Sequence, residues 1–177
     1  LNISSFDTSQ VTDMSQMFSS VSKLNSLDLS HFDTSKVTSM RYMFNNMGNL
    51  VNLNIGSFDT RNVENMSGMF GSVSKITNLD LLHFDTSKVK DMSYMFNGMN
   101  GLTNLNISSF NTGNVTNMTG MFWSCSKITN LNLSHFDTSK VKWMNNMFQE
   151  MAALTELNVS SFNTENVISM SSMFRDA

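Results

Sequence analysis

The sequence predicts an α/β repeat solenoid, with parallel strands on a concave face and short helices on a convex face. Two observations lead to this prediction. The dipeptide Met-Phe recurs every 26 residues, first at 17–18 and last at 173–174, and a fixed period of this size is the signature of a solenoid or propeller. The 177 residues also include no proline, as expected where strands of successive repeats must all donate to a ladder.

The period assigns nearly all large apolar residues to a repeated core. All 14 phenylalanines fall in two columns of the 26-residue period, and all 17 methionines fall in three. We therefore interpret the methionines as core and not as a recognition surface. Cys125 shares a column with Val and Met and is predicted to be a buried small hydrophobic residue. One solenoid domain, 1–177, is divided into a partial first repeat and six more: 1–23, 24–49, 50–75, 76–101, 102–127, 128–153 and 154–177.

Each repeat begins with a predicted strand and a polar bend. In the repeat 24–49, LNSLDLSHFDTSKVTSMRYMFNNMGN, Leu27 and Leu29 alternate with polar residues, which is typical of a half-buried strand. A later column holds only Asp or Asn, as at Asp33, and the next column is Thr in every repeat, as at Thr34. We expect both side chains to close the bend by hydrogen bonds to the backbone.

A short helix is predicted after the bend. It should begin near Ser39, because six of the seven residues in that column are good N-caps. Packed helices lie about 8–10 Å apart and paired strands about 4.8 Å apart, so the strand side is expected to be concave. Apolar residues at i, i+3, i+7 and i+10 would share one helix face: Val37, Met40, Phe44 and Met47.

Alternate repeats are more similar than neighbours, which gives a second period of 52 residues. The stretch HFDTSKV occurs at 31–37, 83–89 and 135–141, whereas the repeats between them read SFDT or SFNT. We interpret this as duplication of a two-repeat unit. Three side chains of the stretch are predicted to face solvent: His31, Ser35 and Lys36.

The repeats resemble the BspA-like leucine-rich repeats of bacterial surface proteins. Units such as LTNLNISSFNTGNVTNMTGMF at 102–122 and LDLSHFDTSKVTSMRYMF at 27–44 carry the resemblance, which covers essentially the whole chain. It implies an extracellular protein of the bacterial cell surface that adheres to host proteins or other cells, with no catalytic residues to carry over. Because neither end has an atypical capping repeat, we expect a fragment of a longer surface protein whose signal and anchor lie elsewhere.

Composition argues against several other functions. A net charge of −3 and a pI near 5.5 give no reason to expect nucleic acid as a partner. No apolar run approaches the roughly 20 residues of a membrane-spanning helix, and one cysteine excludes an internal disulfide framework. The three histidines lie two repeats apart, about 9–10 Å along the stack, too far to share a metal ion. We predict no cofactor, no metal and no enzyme, because an enzyme needs one converging constellation and not three copies of a polar stretch.

Two surfaces are candidates for binding. The strand side carries columns of Asn and Asp, which either satisfy one another as a solvated ladder or form a ligand surface, as solenoids often do. These residues are Asp28, Asn52, Asn54, Asn78, Asp80, Asn104, Asn106, Asn130, Asn132, Glu156 and Asn158.

The second candidate is a helix-side aromatic patch. Aromatic rings are enriched at binding hot spots, but the tyrosines alternate with Gly68 and Gly120 in their column, so the rings have an alternative role as covers over neighbouring repeats. The patch would contain Trp123, Trp143, Tyr42 and Tyr94.

The sequence therefore predicts a non-catalytic binding or adhesion module at the cell surface. Its partner would be an extracellular protein or glycan on a host or neighbouring cell. The alternative is a structural spacer that presents another domain of the full-length protein.

Overall fold

The computed structural model describes all 177 residues, and it confirms a repeat solenoid with parallel strands spaced 26 residues apart. Each strand is three residues long, with a central leucine turned toward the core and exposed or half-buried polar residues on either side. This is the predicted alternation of a half-buried strand. The strands are β1 Ser26–Asp28, β2 Asn52–Asn54, β3 Asn78–Asp80, β4 Asn104–Asn106, β5 Asn130–Asn132 and β6 Glu156–Asn158.

The strands form three separate two-stranded sheets and not one continuous sheet. β1 pairs with β2, β3 with β4, and β5 with β6, each in parallel and in register. We call the repeat interfaces with paired strands closed interfaces and the other three open interfaces. The open interfaces separate 1–23 from 24–49, 50–75 from 76–101, and 102–127 from 128–153.

The predicted helices are wrong, because the segment after the bend forms successive four-residue turns. Met43 N–H donates to Met40 C=O at 3.1 Å, and Tyr42 and Asn46 have φ angles of 53° and 59°. A positive φ at the third position is typical of a type II turn and is incompatible with a right-handed helix. A segment of only two turns is also too short to form a stable helix unless tertiary packing stabilises it.

Backbone bonds between repeats replace those that a helix would make within itself. Alternate N–H groups donate to the carbonyl 25 residues later, at all six interfaces. This ladder has the spacing of paired strands, so the difference between helix and strand spacing that predicted a concave strand side is absent. We call the side that carries the strands the strand face and the side that carries the turns the turn face. In one repeat the bonds are Met40 to Asn65 at 3.0 Å, Tyr42 to Ser67 at 2.8 Å, Phe44 to Met69 at 2.9 Å and Asn46 to Gly71 at 2.7 Å.

The column predicted to cap the helices instead begins this turn ladder. Ser39 forms isolated parallel bridges with Asp13 and Asn65. The Oδ1 atom of Asn65 accepts a hydrogen bond from Ser67 N–H, two residues later, at 2.9 Å. The Asp and Asn residues of this column therefore make the local side-chain bond that an N-cap would make, but they make it to a turn.

The phenylalanine and methionine columns form the predicted core. Fifteen of the 17 methionines are buried, and the two exposed ones lie in the first and last repeats. The aromatic rings of the Met-Phe column stack with centroids 5.5–6.0 Å apart, within the preferred range for aromatic pairs. This unbroken stack runs through Phe18, Phe44, Phe70, Phe96, Phe122, Phe148 and Phe174.

The threonine column joins neighbouring repeats and does not close its own bend as predicted. Thr34 Oγ1 donates to the carbonyl of Asp59 at 2.9 Å and accepts from Asp59 N–H at 2.8 Å. The bend is closed by the carboxylate alone, since Asp33 Oδ1 accepts from Ser35 N–H at 2.9 Å. This pair of hydrogen bonds across the interface accounts for a polar residue that never varies, because it needs a hydroxyl that both donates and accepts.

Candidate functional site

The predicted concave-face residues occupy the outward positions of the strands. Each is the first or last residue of its strand, and all except the half-buried Asn106 are exposed. The structure brings them into two rows on the strand face, one at the strand starts and one at the strand ends. The sequence pattern therefore placed this set on one surface correctly, although it did not show that the rows are interrupted.

Side-chain amides form hydrogen bonds along each row, and they do so only between strands that are paired. Asn54 Nδ2 donates to Asp28 Oδ1 at 3.0 Å, and the equivalent bond from Asn106 to Asp80 is 2.9 Å. Asn104 Nδ2 donates to Asn78 Oδ1 at 2.6 Å. No such bond crosses an open interface, so the predicted amide ladder exists as separate rungs.

Histidine bridges the strand segments of each open interface. His83 Nε2 lies 3.1 Å from Ile55 C=O and must be the donor of this bond. The corresponding bonds from His31 to Ile3 and from His135 to Ile107 are 3.0 and 3.1 Å. The prediction that His31 faces solvent is therefore incomplete, because its ring is exposed but hydrogen-bonded across the interface.

Serine takes the histidine position at the closed interfaces. Ser57 Oγ donates to Leu29 C=O at 3.3 Å, again 28 residues back. A short side chain spans an interface with paired strands, and a longer ring spans one without them. Lysine follows the same alternation: Lys36 Nζ donates to Gln10 Oε1 at 2.8 Å and Lys88 Nζ to Asn62 Oδ1 at 2.7 Å. Lys36 is therefore exposed, as predicted, but it is also hydrogen-bonded across the interface.

The 52-residue period therefore has a structural cause that the sequence did not show. Each repeat that contains HFDTSKV stacks on the preceding repeat through an open interface, and its His and Lys side chains bond across that interface. The signal was present in the alternation of long and short side chains in two columns. The strand pairing explains this alternation, because the long side chains lie at the open interfaces.

Two adjoining cavities lie over the open interface between β2 and β3, with volumes of about 490 and about 620 Å³. They extend from Val51 at one end to Leu82 at the other, and both of these side chains are exposed, at 51% and 55%. Sequence reasoning did not select either residue, although Leu82 and Gly56 interrupt a column that is otherwise serine. We call this region the central cleft, formed by Val51, Leu53, Asn54, Leu79, Asp80 and Leu82.

The four aromatic candidates do not form one patch. Tyr94 and Trp123 are neighbours, with centroids 6.5 Å apart, but no aromatic pair joins Trp143 to them, and Trp143 is 40% exposed by itself. Tyr42 lies over Gly68, where an added Cβ would be 2.1 Å from the ring. The tyrosines therefore cover glycines of the next repeat, as the alternative interpretation predicted.

Trp123 also lies beside a carboxylate. Ser124 Oγ donates to Glu150 Oε2 at 2.6 Å, and this bond is the main cause of the lowered pKa of Glu150, to which the Trp123 indole contributes less. The indole Nε1 nevertheless has no partner in hydrogen-bonding geometry although it is buried.

Two other residues that could carry chemistry, Cys125 and Asp33, have structural roles. Cys125 is fully buried as predicted, its Sγ lies 3.1 Å from Phe96 C=O, and burial raises the pKa of its thiol to about 12. The Ser35 hydroxyl and N–H lower the pKa of Asp33, which fits a carboxylate that closes a bend. No group of three or more His, Cys, Asp or Glu could hold a metal ion, and no helix is long and apolar enough to cross a membrane.

A family model described as "Mycoplasma protein of unknown function, DUF285" matches residues 1–79 and 72–177. No curated protein matches the chain. Among solved structures, a leucine-rich repeat protein from Bacteroides ovatus ATCC 8483 is similar to 86% of this chain, with 17% sequence identity and a TM-score of 0.44. The chain spans 42% of the length of that protein.

Proposed function

We propose that this chain, which belongs to the DUF285 family of BspA-like leucine-rich repeats, is a non-catalytic module that binds a protein or glycan through its strand face. The observation that supports the proposal is the pair of exposed polar rows, interrupted in the middle by an apolar cleft. Amides and carboxylates supply directional hydrogen bonds, and an apolar centre within a polar rim is the usual anatomy of an interface.

The proposed setting is the outside of a bacterial cell. The partner would then be an extracellular protein or glycan of a host or of a neighbouring cell, and the module would mediate adhesion. This setting comes from the resemblance to BspA-like surface proteins, in which repeats are displayed and not enzymatic.

The strand face suits reversible recognition because its hydrogen-bonding groups are already ordered. Asn104 and Asn78 hold one another at 2.6 Å, so little side-chain entropy is lost when a ligand binds them. The backbone ladder of the turn face runs through all six interfaces and keeps the rows in register. We expect a ligand that contacts the strand face of more than one repeat.

The experiment is a capture assay with the purified chain against a panel of extracellular matrix proteins and a glycan array. A variant with Asn78, Asn104 and Asn130 all changed to Ala should lose the captured partner. A control with three exposed residues off the strand face changed to Ala should retain it: Lys23, Lys127 and Glu165. Loss with Trp143→Ala alone would move the site to the turn face.

A spacer is the second candidate, and a specific observation favours it. The phenylalanine stack and the turn ladder continue without interruption from the first repeat to the last, as expected of a stiff rod that holds another domain away from a surface. If the panel and the array capture nothing at high protein concentration, the adhesion proposal is wrong and the spacer remains.

A further inference from the structure

We propose that the central cleft docks an extended peptide segment of a protein partner, in which an apolar side chain lies next to a lysine or arginine. This inference rests on the proposed binding function and names the class of partner. The three features that define the partner are the unpaired strand edges, the exposed apolar residues and the carboxylate at the rim.

The unpaired edges favour an extended peptide. At the neighbouring closed interface, Leu81 N–H donates to Asn106 C=O at 3.0 Å and Thr103 N–H donates to Thr77 C=O at 2.9 Å. At the open interface the corresponding groups, the N–H of Ile55 and of Thr77, make no hydrogen bond within the protein. A strand edge with free N–H groups is satisfied by the carbonyls of an added chain, the mode used in β-strand addition.

The apolar residues are specific to this interface. Nine large hydrophobic residues of the chain are exposed, and six of them lie in the first or last repeat. The other three are Val51, Leu82 and Trp143, so two of three are at the central cleft. Val51 stands in a column of Asn and Thr and Leu82 in a column of Ser and Gly.

Gly56 adds space on the side opposite Leu82. The other residues of its column are mostly serines, for example Ser4 and Ser108 at the other open interfaces. A Cβ at Gly56 would meet only Asn54 Oδ1 at 3.6 Å, so the glycine is not required by crowding. Its absent side chain leaves room for an apolar side chain of the partner between Leu82 and the floor leucines Leu53 and Leu79.

Charge complementarity selects a cationic neighbour for that apolar side chain. The strands carry three carboxylates, Asp28, Asp80 and Glu156, and no lysine or arginine. Asp80 Oδ1 accepts from Leu82 N–H at 3.0 Å and from Asn106 Nδ2 at 2.9 Å. The second carboxylate oxygen makes no hydrogen bond, and Asp80 lines the cleft together with Leu82. This oxygen is therefore available to accept from an ammonium or guanidinium group.

The test uses a blocked nine-residue peptide that alternates lysine and leucine, titrated into the uniformly ¹⁵N-labelled chain. We expect amide shift changes confined to β2, β3 and the residues that flank them, with Ile55 and Thr77 among the largest. A peptide with leucine replaced by serine, or with lysine replaced by glutamate, should not produce them. Equal shifts with the lysine–serine peptide would reduce the effect to unspecific charge attraction and overturn the proposal.

Two variants exchange cleft residues for those that the chain uses at another open interface. Leu82→Ser copies Ser134 and should weaken peptide binding about tenfold, because one apolar contact is lost. Asp80→Asn copies Asn132, keeps the acceptor for Leu82 N–H, and should remove most of the salt dependence. Glu165→Gln changes net charge equally in an exposed bend and is the control that should bind like the parent chain.

Other occupants give distinct results. Shift changes at the cleft that grow with protein concentration and without peptide would mean that a second copy docks there, and the proposal would be wrong. Shifts at the cleft from neutral oligosaccharides but not from the peptide would also overturn it. If a partner is captured from the panel and its binding depends on Asn78, Asn104 and Asn130 but not on Leu82 or Asp80, the binding function stands and this docking site fails.

Discussion

Replacing Thr86 by valine should destabilise the solenoid, because the Thr86 hydroxyl joins two repeats. Thr86 is 1% exposed; its Oγ1 donates to Asn111 C=O at 2.9 Å and accepts from Asn111 N–H at 2.8 Å. Valine has nearly the same shape but offers neither bond. Each buried polar group left without a partner costs about 1–3 kcal/mol. Because Asn111 is an exposed residue, we expect a loss in the middle of this range, about 2 kcal/mol in the free energy of unfolding.

The same chain provides the matched control. Thr164 is exposed in the last repeat and its hydroxyl makes no bond, so Thr164→Val should change stability by less than about 0.5 kcal/mol. Thr86→Ser keeps the hydroxyl and should lose less than Thr86→Val. Urea unfolding followed by far-ultraviolet circular dichroism measures all three. If Thr86→Val and Thr164→Val differ by less than about 0.5 kcal/mol, the hydroxyl bridge does not hold the repeats together.

Three further measurements test other parts of the structure. Gly68→Ala places a Cβ 2.1 Å from the Tyr42 ring at a φ of +61° and should cost about 1–3 kcal/mol in urea unfolding, partly recovered when Tyr42 is also changed to Ala. Burial raises the pKa of Cys125 from 9.0 to about 12, so the unfolded chain releases this proton first. Stability should therefore fall as pH rises from about 9 to about 12, and Cys125→Val should remove that part of the fall. Hydrogen exchange should protect Leu81 N–H and leave Ile55 N–H unprotected; equal protection would contradict the open interface.

The period, the core and the strands were predictable because each depends on side-chain chemistry alone. Leu27 and Leu29 alternate with polar residues, and only a strand places both of them inward. The methionine and phenylalanine columns are apolar in every repeat, and burial removes their apolar surface from water. The rows that include Asn54 and Asn106 followed directly from the same alternation.

The turn face was not predictable from apolar spacing. Met40, Phe44 and Met47 have the spacing of a helix face, but a run of type II turns also returns alternate residues to one side. The distinguishing feature is a positive φ at residues such as Tyr42 and Asn46. A weak signal existed, since Gly68 and Gly120 share the column of Tyr42 and glycine favours that conformation, but tyrosine in the same column argued against it.

The alternation of interfaces could not be predicted because it depends on which strands pair, and the repeats have almost the same sequence. The turn ladder makes the same bonds at every interface, so the opening is confined to the strand face. His83 at an open interface and Ser57 at a closed one make equivalent hydrogen bonds, to Ile55 C=O and to Leu29 C=O. Side-chain length is readable in a sequence, but the gap that it must span is not.

The two-repeat unit gives the most regular stretch of the chain, HFDTSKV, a structural role. His83 and Lys88 of HFDTSKV are both engaged across the open interface, to Ile55 C=O and Asn62 Oδ1, so a change in either one leaves a polar group of the preceding repeat without its partner. Such residues must be kept together when the unit is duplicated. Leu82 has no bond of this kind through its side chain, and its position is serine at the other open interfaces. A ligand preference can therefore change at Leu82 without loss of the stack, and this freedom is what a recognition residue on a repeated scaffold requires.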